Sequence, residues 1–494
     1  MSVAEPVSQV DLTNCGREPI HIPGAIQPHG AMVVLDERTL AILQVSANVE
    51  TILGDRHEDL LNRPIDRLFP RALLEDALAA PVLIAEMPLH VRIKSREFDV
   101  VLHRVDDLVI VEFEPVDQAA DFSRFYRSLQ QGVSAVQRAS SLPELYNAAA
   151  ETISRLSGFE RVMVYKFDEE WNGQVVGEKL EGNADSYLGQ HFPASDIPPQ
   201  ARELYRRNLL RIIPSSTYTP APILPAAIQA RGPLNLSDSV LRSVSPIHLE
   251  YLRNMGVAAS MSVSLLKNGE LWGLIACHHS TPRTLPYNVR AACELIGQVT
   301  GAAISGTEER ARLDAIVGAQ KIQTQFFDYL AQEDNVLDAL AKYTPRLLEL
   351  VDATGAALCF NGGVILLGRT PAETEVRDLV EWVRNNATSA VFSTNSLPSS
   401  YPAAREYQEA ASGIMAISLS REGRNFILWF RPQVEATIVW AGNPEKPVFQ
   451  EGMRIHPRKS FEVWRQKVTG CATPWREIDI YAAQELRNAI NALI

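Results

Sequence analysis

Met261-Ser262-Val263-Ser264-Leu265-Leu266 is followed by Lys267-Asn268-Gly269-Glu270 and then by Leu271-Trp272-Gly273-Leu274-Ile275-Ala276-Cys277. Two short apolar runs joined through Asn-Gly are the strongest local signal for a β-hairpin, because both central residues of a tight turn need positive φ. Upstream, Leu142–Leu156 has helical spacing and Arg161–Phe167 reads as a strand. Together they predict one antiparallel sheet with helices around it, beginning near Phe122.

Working outward, the chain to about residue 115 alternates short apolar runs with turn residues. Ala31–Leu35, Thr39–Val45, Leu89–Ile93 and Leu108–Phe113 read as strands of a second α+β unit. On the other side, no proline occurs between Pro286 and Pro345, and Val289–Leu330 reads as one long helix. At around 40 residues it would span roughly 60 Å, a length suited to joining domains. Leu313, Ile316, Val317, Phe326 and Leu330 form its apolar stripe. A third unit has strand candidates Ala356–Cys359, Val364–Leu367, Ile414–Leu419 and Phe426–Phe430. An excursion rich in Trp, Pro, Gly and Arg, Thr437–Trp475, interrupts it. Loops of that length in compact domains are functional or disordered, and the aromatic content argues against disorder. The final helix carries Ile478, Tyr481, Ala482, Leu486, Ala489 and Leu493 at helical spacing and runs to the last residue, as if leading to a downstream module. The fold class expected is therefore α+β, with a central antiparallel sheet in each of three domains joined by long helices: 1–120, 121–305 and 306–494.

The composition narrows the function classes. A net charge of -12, from 47 Lys+Arg against 59 Asp+Glu, argues against a general nucleic-acid surface. No apolar stretch reaches membrane-spanning length, and no signal peptide opens the chain, so a cytoplasmic protein is expected. The five cysteines, Cys15, Cys277, Cys293, Cys359 and Cys471, are far apart and odd in number, against both a disulfide framework and a metal site.

Four stretches carry possible chemistry. In the first, Cys15 precedes Ile20-His21-Ile22-Pro23-Gly24-Ala25-Ile26-Gln27-Pro28-His29-Gly30. A lone terminal cysteine is either structural or a thiol on an arm that reaches a ligand bound elsewhere. In the second, Phe192-Pro193-Ala194-Ser195-Asp196-Ile197-Pro198, prolines bracket Asp196. That carboxylate either caps the helix starting near Pro199 or faces N–H donors or a cation. In the third, Arg242 precedes a predicted N-cap, Ser245, with Pro246 at the first helical position. His248 and Tyr251 share a face of that helix, and Tyr205 and Arg211 lie upstream. Arginines and tyrosines at one site suit a flat ligand with carboxylates, although each arginine alone reads more readily as a surface ion pair, and His248 as a core histidine. The fourth is the late excursion, with Trp440-Ala441-Gly442, Pro457-Arg458-Lys459-Ser460-Phe461 and Trp464.

In this order, with Leu271–His279 (LWGLIACHH) between the third and fourth, the stretches resemble the photosensory core of bacterial phytochromes over essentially the whole chain. The resemblance implies PAS, GAF and PHY domains, and a figure-of-eight knot in which the arm bearing Cys15 threads a GAF loop around Ile26. It implies biliverdin, a linear tetrapyrrole, bonded through Cys15. Asp196, with the backbone carbonyl it carries, would face the pyrrole N–H groups, His248 would hold a water there, and Ile197 would be among the pigment-binding residues. Arg211 and Arg242, helped by Tyr205, would pair with one propionate, and Ser245, Ser260 and Ser262 with the other. His278 would bond the D-ring carbonyl, with Tyr165, Tyr187, Phe192 and Tyr251 around that ring, while Cys277 is core. Arg458, Ser460, Trp440 and Trp464 would belong to a tongue, about 437–475, that exchanges strand for helix as Asp196 binds or releases Arg458. A homodimer and a downstream output domain such as a histidine kinase are also implied. No phosphoacceptor or ATP-binding segment is present, so no catalysis is expected of this chain. Ala441 stands where the family favours Gly, Gln466 where it favours Glu, and Ser215-Ser216-Thr217 where it is more acidic. The rival readings are a thiol enzyme built on Cys15 and a module for a colourless ligand such as a cyclic nucleotide.

Overall fold

A computed structural model describes residues 18–68, 70–78, 88–116, 122–228, 232–330, 340–387, 389–419, 425–444, 448–451 and 454–493. Cys15 lies outside them. The expected sheets are present, distributed over two compact units: residues 1–307 with 439–464, and residues 308–438 with 465–494.

The hairpin forms as its sequence dictates. Ala259–Lys267 pairs with Glu270–His279, and Asn268 and Gly269 have φ of +54° and +82°, the type I′ geometry that matches strand twist. Six more strands complete its sheet, in the order Leu210–Ile213, the hairpin, Arg161–Phe167, Gly173–Leu180, His191–Phe192, Ala436–Ala441 and Val463–Val468. Side chains alternate across it. Ile212, Met261, Val263, Ile275, Cys277, Val162 and Val164 face a core closed by the helices Phe122–Arg138, Leu142–Ser157 and Tyr287–Leu330. The opposite face belongs to the site described below.

The N-terminal sheet runs Ala25–Ile26, Ala221–Leu224, Ile42–Ser46, Ala31–Asp36, Leu108–Pro115, Arg96–Val105 and Leu89–Ile93. Arg96–Val105 went unread in the sequence because it carries Arg96, Glu97, Asp99, His103 and Arg104. The second strand of this sheet, Ala221–Leu224, comes from the middle of the chain and pairs with both the arm and Ile42–Ser46. Val109, Val111 and Phe113 fill the local core. Leu108 and Ile110, on the other face, pack with Ile26, Ile223, Leu234 and Leu241. Arg290, in the first turn of the long helix, holds Glu114 through two bonds of 2.6 and 2.9 Å. Both sheets accordingly fall in one compact unit. The long helix comprises 44 residues. Leu313 and Val317, expected on a packed stripe, are 51% and 64% exposed; the side chains of Phe326 and Leu330 lie outside the description.

The second unit has a five-stranded sheet, in the order Gly363–Gly368, Gly355–Phe360, Phe426–Arg431, Gly413–Ser418 and Val391–Thr394. One face packs on the last helix, Glu477–Leu493, through Ala482, Ala483, Leu486 and Ile490. Tyr481, assigned to that stripe from spacing, points outward at 44% exposure, and Ala483 and Ile490 take its share. The other face packs on Glu373–Asn386. Arg431 is the hinge pin of this unit. Its guanidinium donates to the carbonyls of Val351, Asp352, Thr473 and Pro474 and to the Asp479 carboxylate at 2.9 Å, and it stacks 3.9 Å from the Trp475 ring centroid. It therefore ties the strand leading into the excursion to the chain returning from it and to the start of the last helix. No helix among the described residues is long and apolar enough to cross a membrane.

Arg431→Met should leave Asp479 buried with Arg476 alone and destabilise this unit by about 3 kcal/mol. Denaturant unfolding followed by the fluorescence of Trp429 and Trp475 checks it.

Candidate functional site

The free face of the hairpin sheet is built by register. Arg211 pairs with Ser262, and Ile213 with Ser260; Ser260 pairs in turn with His278, and His278 with Arg161. Arg211, Ser260, Ser262 and His278 therefore share a face, whereas Cys277, one residue along, lies in the core. Two short helices stand over this face. Pro199–Arg207 follows the Asp196 segment, and Pro246–Asn254 is capped by Ser245, whose Oγ accepts the Ile247 N–H. Between helices and sheet lies a largely apolar cleft enclosing about 1160 Å³ of atom-free space, its open mouth included, which is room for a large organic ligand.

Eight of the residues expected at the site line this cleft: Asp196, Ile197, Tyr205, Arg211, Arg242, Ser245, His248 and Tyr251. Tyr165, Tyr187 and Phe192 form an adjoining aromatic cluster, with ring centroids 5.5 and 5.7 Å from Phe192 to Tyr165 and Tyr187. Ser260, Ser262 and His278 lie on the sheet face outside the cleft lining. A side chain on Gly173 or Gly273 would collide with Tyr165, so these glycines admit its close packing.

The electrostatics are specific. Arg211 donates to the carbonyls of Ser239, Val240 and Arg242, and Arg242 to those of Leu236 and Ser237. Among the described residues neither makes an ion pair, and burial lowers both guanidinium pKa values, Arg242 to about 9. Two buried cations whose direct bonds go only to carbonyl dipoles suit a receptor for anions. Burial, with Arg211 adding to it, lowers His248 to about 4, and burial, with Arg161 and His248, lowers His278 to about 3. Both are neutral imidazoles at pH 7, each with one donor and one acceptor nitrogen. His248 stacks on Tyr251, and the buried Nδ1 of His278 has no partner among the described residues. A buried nitrogen left open on the sheet face that also carries Arg211 suits a ligand carrying both carboxylates and a carbonyl.

Asp196 is held from two sides. Tyr251 Oη donates to its Oδ2 at 2.9 Å, and Arg458 forms a buried ion pair with the same oxygen. Burial pushes the Asp196 carboxyl above its ordinary pKa, and Arg458 and Tyr251 pull it back part of the way. Arg458 also donates to the Ala441 carbonyl, accepts from Asn254 through its own carbonyl at 3.1 Å, and lies over Phe461, 4.4 Å from the ring centroid. Among the described residues the excursion contains the strands Ala436–Ala441, Val448–Glu451, Arg454–Pro457 and Val463–Val468, with Trp440 paired to His191. Ala441 is buried among Tyr165 and Phe192, so its extra methyl is accommodated. Gly442 has φ of +96°, and a Cβ there would lie 2.5 Å from the Ser460 carbonyl oxygen, which requires glycine. Trp440 is buried, whereas Ser460, Trp464 and Gln466 are exposed.

Sequence reasoning missed three members. Glu18 lines the cleft, and its Oε2 accepts from Ser245 Oγ at 2.7 Å; its proximity to Cys15 in the chain was the available signal. Pro457 lines the cleft beside Arg458. Asn254, the last residue of the helix capped by Ser245, carried no chemical signal.

Comparison with known proteins supplies the class. Family models described as PAS fold, GAF domain and Phytochrome region match residues 15–116, 141–306 and 319–494. Cyanobacterial phytochrome B of Nostoc sp. is 44% identical over 98% of this chain, which spans 66% of that protein's length. A bacteriophytochrome of Xanthomonas campestris is 35% identical over 98% of this chain and 79% of its own. Among solved structures, the Stigmatella aurantiaca phytochrome photosensory core module superposes with a TM-score of 0.85 at 44% identity, covering 98% and 99% of the two chains. A bacteriophytochrome of R. palustris gives 0.88 at 41%, covering 97% and 99%. The fold is therefore that of a phytochrome photosensory core. This chain belongs to the phytochrome family.

Arg458→Ala should detach the excursion from Asp196 at a cost of about 3 kcal/mol. Exchange of the Gly442 amide, bonded to the Glu462 carbonyl at 3.0 Å, should then be roughly a hundredfold faster by hydrogen exchange.

Proposed function

We propose that the chain is the light-sensing part of a red/far-red photoreceptor, binding biliverdin covalently through Cys15 and switching between two states. The observation that carries this reading is the convergence of two guanidiniums without a direct ion pair, a neutral histidine and a carboxylate bound by Arg458 around one cleft, with a second neutral histidine on the adjoining sheet face. When bound, the pigment supplies light absorption and isomerisation at the bridge between its C and D rings.

The chain's own residues do the rest. Arg211 and Arg242, beside Tyr205, hold one propionate, and Ser260 and Ser262 the other. Ser245 is already shared between the helix cap and Glu18, which makes it the weakest of the three hydroxyl candidates. Asp196, with its own backbone carbonyl, faces the pyrrole N–H groups and stabilises their shared positive charge, and Ile197 lines the cleft beside it. His248 accepts or donates to a water there. His278 offers its open nitrogen to the D-ring carbonyl, within the wall of Tyr165, Tyr187, Phe192 and Tyr251. Cys15 lies three residues from Glu18 in the sequence, and three residues span at most about 11 Å, so a pigment beside Glu18 is within the reach of that stretch of chain.

Bonds from the arm to the loop it approaches support the threaded topology: Gln27 N–H to the Leu241 carbonyl, Gln27 Nε2 to the Ile212 carbonyl, and Leu236 N–H to the His21 carbonyl. The boundaries 1–120, 121–305 and 306–494 serve as PAS, GAF and PHY domains. Signalling runs from Asp196 to Arg458 and the tongue, whose strand-to-helix exchange moves the long and final helices. Exposed Leu313 and Val317 favour a homodimer through the long helix. The output domain, such as a histidine kinase, lies outside this chain, which acts as a sensor without catalysis. The family membership and the dicarboxylate-compatible cleft disfavour a thiol enzyme or a cyclic-nucleotide module.

Protein purified with biliverdin should change its absorption spectrum reversibly between red and far-red illumination. An unchanging spectrum under both would overturn the switch. Cys15→Ala should abolish the zinc-fluorescent covalent band on a denaturing gel while retaining reversible colour.

A further inference from the structure

The strand Leu108–Pro115 places Glu112 on the face that meets the segment carrying Arg242. Its side chain is fully buried, and it lines no part of the cleft. Yet its two oxygens accept from Val240 N–H at 3.2 Å and Leu241 N–H at 2.7 Å. The peptide groups that own those two N–H bonds also own the carbonyls of Ser239 and Val240. Both carbonyls accept from Arg211, at 3.3 and 2.9 Å. Two consecutive peptide dipoles therefore stand between a carboxylate and a guanidinium, each with its N–H toward the anion and its C=O toward the cation. Alignment of this kind transmits charge interaction better than apolar packing of the same thickness, because each bond polarises the next. It also fixes where Arg211 points, since its acceptors are positioned by Glu112.

We propose that Glu112 is a positioning residue of the pigment cleft: it is the counter-ion of Arg211, relayed through two peptide groups, and its protonation tunes how strongly the cleft holds carboxylates. This rests on the reading that Arg211 receives a propionate. Relay and ligand compete for one guanidinium. A ligand carboxylate at Arg211 disfavours the charged form of Glu112, and by reciprocity the carboxylate binds more tightly when Glu112 is protonated.

Other charged groups around Glu112 leave a clean window. His103, from Arg96–Val105, has its Nδ1 3.6 Å away and its Nε2 3.1 Å from Ser239 Oγ; burial lowers it to about 4. Glu114 is on the same strand and is bonded to Arg290, with His29 3.7 Å from it and lowered by burial to about 4. Arg242 is lowered to about 9. Glu112 itself is raised to about 7, by burial first, with Glu114 adding and the Leu241 N–H opposing.

The test compares reversible binding of biliverdin with that of its dimethyl ester, in the Cys15→Ala background, from pH 6 to 8. The ester shares the chromophore and its pyrrole protonation and lacks the carboxylates. The ratio of affinities, acid over ester, should fall roughly fivefold as pH rises and Glu112 ionises; Glu112→Gln should make it flat. A flat ratio with Glu112 intact, or the same fall in Glu112→Gln, would overturn the proposal. Carbon-13 titration of Glu112 gives a second reading that needs no variant at this position: biliverdin should raise its midpoint and the ester should not, and equal midpoints would overturn the proposal. If neither pigment binds, the cleft assignment itself fails, and this inference with it; a flat ratio with both bound removes Glu112 alone.

Discussion

Everything at the site depends on one constraint: alternation along each strand sends neighbouring residues of this sheet to opposite faces, one packed on helices and one on the site. Side chains alternate with a period of two, so a single register decides the environment of every residue on the hairpin. In Ala259–Lys267 and Glu270–His279, Met261, Val263, Ile275 and Cys277 take the helical side. Ser260, Ser262 and His278 take the other. A slip of one residue would put hydroxyls and an imidazole into the core and a thiol into the cleft. Asn268 and Gly269 set the pairing at the turn, and a bulge between Leu265 and Leu266 shifts it by one residue to the register that holds along the rest of the hairpin.

The second layer of the design is buried charge. Asp196 and Arg458 are 5% and 3% exposed at their side chains, and removing two charges from water is repaid only with good geometry and further hydrogen bonds. Tyr251, Asn254 and the Ala441 carbonyl supply these bonds. Arg431 and Asp479 follow the same logic in the second unit, where four carbonyls complete the arginine. In both cases the arginine gathers segments distant in sequence around one carboxylate.

This division explains what could be read from the sequence. The hairpin, the strand Arg161–Phe167, the capped helix after Ser245 and the four apolar strands of the third domain are local patterns, and the structure has them within one or two residues. The Asp196 segment and the tongue were identifiable as ordered motifs. The partners of Arg211 were not: its bonds go to main-chain carbonyls, which have no sequence signature. Glu112 was hidden inside an apolar strand, and Arg96–Val105 was hidden by charges that are buried or edge-exposed in the fold. Tyr481 failed for a related reason. Helical spacing places a residue near a face, and neighbouring small side chains such as Ala483 decide which side of that face packs.

On the proposed reading, the same electrostatics account for a switch with two stable positions. Asp196 is one carboxylate with more than one candidate cation: the tongue arginine and a protonated pigment. Tyr251 bonds the carboxylate, stacks on His248 and meets Phe461 of the tongue at a 5.2 Å centroid distance, so a shift of this ring alters both sides at once. A ligand moves a conformational equilibrium only by the difference in its affinity for the two states. Here that difference would arise at a carboxylate whose burial already holds it above its ordinary pKa. A modest change in nearby positive charge then redistributes hydrogen bonds that the buried ion pair cannot lose without replacement. The tongue must either keep Arg458 or supply another donor, and exposed Ser460, two residues along, is the nearest hydroxyl on the same segment.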